Sequence, residues 1–119
     1  MTDELKALLD AFKLESYPNQ WAGQPDELEF RPVAELVDPN VAEGECHEVS
    51  TFFIAWLAER GVKAALTEWW VDDNDGSWKV ELGDPRGGYH AAVLVDGFRV
   101  DWTASQLLGR HDFPHIEEL

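Results

Sequence analysis

Two alternating runs, Tyr89 to Val95 and Phe98 to Thr103, are separated only by Asp96-Gly97, and no other pair of residues constrains this chain so tightly. A two-residue hairpin turn of this kind needs positive φ at its central positions, which Asp and Gly tolerate, and its twist matches that of antiparallel strands. The turn therefore fixes a register in which Val95 faces Phe98, Val93 faces Val100, Ala92 faces Asp101 and His90 faces Thr103. Side chains alternate across a strand, so Val93, Val95, Phe98, Val100 and Trp102 share one apolar face that must be covered. The opposite face carries His90, Ala92, Leu94, Arg99, Asp101 and Thr103. There His90 and Asp101 are diagonal neighbours at the roughly 7–8 Å backbone separation that side chains can bridge, so a carboxylate can orient the imidazole.

Helices are the natural cover. Val49, Phe52, Phe53, Trp56 and Leu57 form an apolar stripe at helical spacing, closed by Arg60-Gly61 and holding Cys46 in its first turn. Leu5, Leu8, Leu9 and Phe12 form a second stripe, with Thr2 or Asp3 available as its cap. Between them the segment from Ser16 to Gly44 contains Pro18, Pro25, Pro32 and Pro39, which implies extended and turn structure with a short helical piece at Val33 to Val37. After Gly61 the residues from Val62 to Val71 predict a strand, Asp72 to Gly76 a turn and Ser77 to Leu82 another strand. Thr103-Ala104-Ser105-Gln106 has the form of a capping box opening a short helix that would end at Gly109. The expected fold class is α+β: a single domain over 1–119, with an N-terminal helix and irregular segment at 1–43, a core at 44–106 and a tail at 107–119.

Composition narrows the function. With 119 residues, 45% of them hydrophobic, and with six Trp, six Phe and two Tyr, the chain can build a core and is not a disordered tail. A net charge of −15 opposes binding to nucleic acid or to anionic membranes and leaves basic or neutral peptides and proteins as the expected partners. Met1-Thr2-Asp3-Glu4-Leu5 is acidic where a secretion signal is basic, and no apolar run approaches the roughly 18 residues of a membrane span, so the expected compartment is the cytoplasm.

Cys46 is the single cysteine, so its thiol is either a small buried group or a reactive one. It shares the helical stripe with Val49, Phe53 and Trp56. If the helix packs on the face that bears His90, then thiol, imidazole and carboxylate meet as nucleophile, base and orienting group. Glu43, Glu45 and Glu48 oppose ionisation of the thiol, and magnitude decides between the two influences. An exposed carboxylate at about 4 Å contributes about 1 kcal/mol in water, whereas an imidazolium in a shielded contact contributes about 4 kcal/mol. An oxyanion would meet the backbone N–H of Cys46 at the helix start, with Asn40 as the second donor ahead of Tyr17, Gln20, Trp21 and Gln24. Trp21, His47, Trp69 and Trp102 are the expected cleft residues, and of the adjacent Trp69 and Trp70 only one can face a given side of a strand. Cys46-His47 and the pair His111 and His115 are soft ligands, yet Pro114 interrupts the pair and no zinc spacing is present, so no metal or other cofactor is expected.

Gly44-Glu45-Cys46-His47-Glu48, followed by Ser50, Phe53, Trp56-Leu57, Gly61-Val62 and Ala64, resembles the cysteine helix and following strand of the transglutaminase-like branch of the papain-like superfamily. His90-Ala91-Ala92-Val93 with Asp96-Gly97 and Val100-Asp101-Trp102-Thr103 is similar to that branch's histidine strand and Asp-x-Thr strand. The resemblance covers roughly residues 44–106, and it departs from the family in having Ala92 where an aromatic is frequent and Trp102 where a proline is frequent. It implies a papain-like core with the cysteine helix packed on an antiparallel sheet, Cys46 as nucleophile, His90 as general base and acid, and Asp101 as its orienting partner. The activity so implied is that of a protease, amidase, deamidase or transglutaminase. The alternative is an inactive papain-like scaffold that serves as an acidic binding or inhibitor protein for a basic partner.

Overall fold

The computed structural model describes residues 1–19, 29–72, 78, 86–107 and 112–119. Helix α1 (Asp3–Phe12) begins where Thr2 accepts a hydrogen bond from the Leu5 backbone, and it buries Leu5, Leu9 and Phe12. A short antiparallel ribbon, β1 (Ser16–Asn19) with β2 (Glu29–Pro32), follows, and then a 3-10 helix at Val33–Val37. Helix α2 (Pro39–Ala42) leads to α3 (Cys46–Ala58). Strands β3 (Ala65–Asp72), β4 (Gly87–Val95), β5 (Phe98–Asp101) and β6 (His115–Glu118) form one antiparallel sheet in chain order. The molecule is thus a small α+β domain of helices and antiparallel sheet.

The hairpin register is the one that Asp96-Gly97 dictates, with Val95 opposite Phe98 and Val93 opposite Val100, and both turn residues have positive φ, 51° and 80°. Trp102 and Thr103 turn away from the ladder, so the strand expected to reach Thr103 ends at Asp101. The helix expected from Thr103 to Gly109 is only a 3-10 turn, Ala104–Gln106. Its cause is local: the Thr103 hydroxyl is bonded to Asp101 rather than to the turn's backbone, so the capping box does not form. Gly109, the turn at 73–76 and most of the strand expected from Ser77 to Leu82 lie outside the described residues, with Trp78 the exception. The stretch 107–119, expected as a tail, contributes β6, which completes the sheet beside β5.

The core is aromatic. The α3 stripe of Val49, Phe53, Trp56 and Leu57 is buried in one cluster with Val93, Val95, Val100 and Trp102. Phe12 of α1 sits at its centre, its ring 4.5 Å from Phe53 and 5.0 Å from Trp102. The helix ends as its sequence requires: Gly61 takes φ 77° and the Val62 N–H reaches back to the Leu57 carbonyl. Among the described residues no helix is long and apolar enough to cross a membrane. Truncating Phe53 removes the ring on which α1, α3 and Trp102 converge, so Phe53→Ala is expected to lower stability by about 3–5 kcal/mol in urea denaturation.

Candidate active site

The chain enters α3 through two tight reversals. Asp38 accepts a hydrogen bond from the Asn40 N–H at 2.9 Å and opens α2 with Pro39 in its first turn, while Gly44 at φ 75° closes it. Glu45 is then the residue at the head of α3, and Cys46 is the first residue in it. Glu45 does not cap the helix with its side chain. Its carboxylate is buried, accepting a 2.7 Å hydrogen bond from the Tyr17 hydroxyl and a 3.3 Å contact from Arg31, which also holds the Val41 carbonyl. Burial and the neighbouring Glu45 carboxylate push the Tyr17 hydroxyl well above the ordinary tyrosine range, so it stays a donor at every physiological pH.

On the sheet, His90 is fully buried and its Nε2 lies 2.5 Å from Asp101. The carboxylate is fixed from its other oxygen by the Thr103 N–H at 3.0 Å and the Thr103 hydroxyl at 3.3 Å. The Asp-x-Thr spacing is therefore a turn that aims the acid. Burial alone would lower the pKa of His90, but the Asp101 hydrogen bond and charge, together with the Cys46 thiol, outweigh it and raise the value to about 9. Asp101 takes Nε2, so Nδ1, buried and without a formed hydrogen bond, is the nitrogen left to meet Cys46.

Two indoles enclose the ring, Trp69 at 5.2 Å and Trp78 at 5.7 Å between centres, both nearly edge-on. Trp78 is anchored through its N–H to the Val71 carbonyl, and Trp69 carries the Arg99 guanidinium at 4.4 Å, itself bonded to Glu117 of β6. The helix body packs on the Val93 face of the hairpin, not on the alternate face that bears His90. Cys46 nevertheless acts on the imidazole as one of the groups that raise its pKa.

Of the residues expected from the sequence, His90 and Asp101 are bonded to each other, and Cys46, half-buried at the start of α3, contributes to the raised pKa of His90. Trp69 packs on His90, whereas its neighbour Trp70 is exposed. Trp102 does not line a cleft: at 1% exposure it is core, held among Phe12, Phe53 and Phe113. His47 is exposed, 3.7 Å from Glu68, and lines a cleft of about 410 Å³ with Pro18, Glu48, Thr51 and Phe52. Asn40 is exposed in α2, and among the described contacts none joins it to Cys46 or His90. Trp21, Gln20, Gln24 and His111 lie outside the described residues. Among the described residues no group of three or more His, Cys, Asp and Glu could hold a metal ion.

Sequence reasoning treated Glu45 as one of three exposed anions; it is 5% exposed and bonded to Tyr17 and Arg31. No pattern pointed to that network, because its members lie on separate elements. Thr103, read as the end of a strand and the cap of a helix, instead bonds Asp101, and Trp78 carried no signal beyond being aromatic. No family model, no curated protein and no solved structure matches the chain.

A histidine whose pKa is about 9 when folded and about 6.5 when unfolded adds stability that is full below pH ~6.5 and lost as pH rises through ~9. Urea titrations between pH 6 and 10 are expected to show that loss, with a shallower profile in His90→Gln. In Asp101→Asn the NMR midpoint of the His90 ring is expected to fall toward or below 6.5, because burial then acts with less opposition.

Proposed function

We propose that the chain is a cysteine-dependent hydrolase or acyl transferase acting on an amide or peptide carbonyl, on a papain-like scaffold of the transglutaminase-like branch. One observation carries the reading: the buried His90 is bonded to Asp101 through Nε2, has no formed hydrogen bond at Nδ1, and has a pKa raised by Asp101 and Cys46. A buried polar atom without a formed hydrogen bond costs roughly 1–3 kcal/mol, a cost that the core indoles of Trp56 and Trp102 carry as well. What sets His90 apart is the carboxylate bonded to its other nitrogen and the influence of Cys46 on its pKa.

In this scheme the sulfur of Cys46 adds to the carbonyl carbon while imidazolium forms or persists at His90. The developing oxyanion faces the N–H of Cys46, the first residue of α3, at the positive end of that helix. As the C–N bond breaks, His90 gives its proton to the leaving nitrogen, and a thioester remains. Water or an amine then adds to the thioester, His90 takes a proton from it, and the thiolate of Cys46 departs. Asp101 stays ionised and holds the ring. Every proton in the scheme passes through His90, and no metal or organic cofactor takes part.

The test is alkylation of Cys46 by iodoacetamide near pH 6.5, followed by assay on amide substrates. Wild type is expected to react at least tenfold faster than His90→Ala, with Asp101→Asn between them and Cys46→Ser unlabelled. Amide cleavage or amine incorporation is expected to vanish in Cys46→Ala. Equal alkylation of wild type and His90→Ala, at the rate of a free thiol, would overturn the reading in favour of an acidic binding protein on an inactive scaffold.

A further inference from the structure

Trp70 and Tyr89 stand directly opposite each other on β3 and β4, with ring centres 5.1 Å apart and nearly perpendicular. They are 40% and 69% exposed, which makes them a paired aromatic surface and not two scattered side chains. The Trp70 indole N–H donates to Asp72 at 2.8 Å, which fixes the ring's orientation. Alternation along β3 puts Glu68 on the same face as Trp70, and Glu68 lies 3.7 Å from His47, the residue after Cys46. An aromatic pair, two carboxylates and the start of the cysteine helix thus follow one another along one face of the molecule.

An aromatic face attracts a cation through its quadrupole, and most strongly so for an indole and a guanidinium. Glu68 and Asp72 add charge of the matching sign, and the net −15 of the chain extends the same attraction to longer range. An acidic or purely apolar partner would find no complement here. We infer that Trp70 and Tyr89, flanked by Glu68 and Asp72, are a docking platform for an arginine- or lysine-bearing segment of the polypeptide substrate, which delivers the adjoining amide to Cys46. The inference rests on Cys46 as the reacting thiol, and it names the substrate class of that site. The platform selects the substrate by binding, so its effect falls on KM more than on the chemical step.

The decisive measurement is binding to Cys46→Ala protein, in which no reaction can intervene. The probe is a fluorescein-labelled, amidated peptide Ala-Arg-Ala-Arg-Ala in 150 mM salt, where surface charges beyond about 8 Å are screened. A counterpart carrying citrulline for arginine has the same shape without the charge. The arginine peptide is expected to bind about tenfold more tightly than the citrulline peptide, and the double variant Trp70→Ala with Tyr89→Ala to lose that advantage. Trp70→Phe, which keeps an aromatic face, is expected to stay within about threefold of the parent and guards against a folding artefact. Asp3→Asn with Glu4→Gln, on α1, removes two negative charges away from the platform residues and is expected to leave binding unchanged. Equal affinity for both peptides, undiminished binding to the double variant, or a loss as large in the α1 variant would overturn the platform. Because this readout is independent of thiol reactivity, its failure is distinguishable from failure of the alkylation test.

Discussion

The buried contact between His90 and Asp101 is the constraint around which the rest of the molecule is arranged. Removing a charged pair from water costs several kcal/mol per ion, and only good geometry with further hydrogen bonds offsets that cost. The geometry originates in a two-residue turn: Asp96-Gly97 sets the register, and the register places imidazole and carboxylate on one face. Thr103 then satisfies the second carboxylate oxygen from its backbone and its hydroxyl, at the expense of capping the turn that follows. The truncated strand and the uncapped 3-10 turn go with holding one acid against one imidazole.

Rigidity around the pair comes from both sides of the sheet. On one side, Phe12, Phe53, Trp56 and Trp102 lock α1 and α3 onto the hairpin, which fixes where the first turn of α3 lies. On the other, Trp69 and Trp78 exclude water from the ring, and Arg99 ties Trp69 to β6 through Glu117. Low local dielectric makes the interaction with Asp101 more consequential, which is why protonation of His90 is favoured although burial opposes it.

Local chemistry was legible in the sequence wherever one element sufficed to express it. The stripes of α1 and α3, the short helical piece at Val33–Val37 and the hairpin register each depend on residues a few positions apart. The meeting of His90 with Asp101 followed from register alone, without any knowledge of what lies above the strands. Three things were not legible, for related reasons. Trp102 continues an alternating face and also neighbours a site residue, and only the position of Phe12 decides that it is core. β6 is short and carries two acids, so it has no apolar pattern until β5 offers an edge to pair with. Glu45 reads as one more surface acid until the ribbon of β1 and β2 brings Tyr17 and Arg31 to it.

That last interaction bears on how a chain with 24 acids and 9 bases can hold a cysteine at all as a candidate nucleophile. An unpaired anion beside Cys46 would act against a thiolate at short range, where salt screens little. The adjacent Glu45 is not such an anion, because Arg31 meets its charge and Tyr17 its second oxygen in a buried network. The same pairing engages the carboxylate, and Glu45 makes no side-chain cap at the start of α3. Acid excess is therefore partly partitioned: at Glu45 it is matched by Arg31, while on the outer face, at Glu68 and Asp72 beside Trp70, it stands at the surface where a cationic partner can reach it.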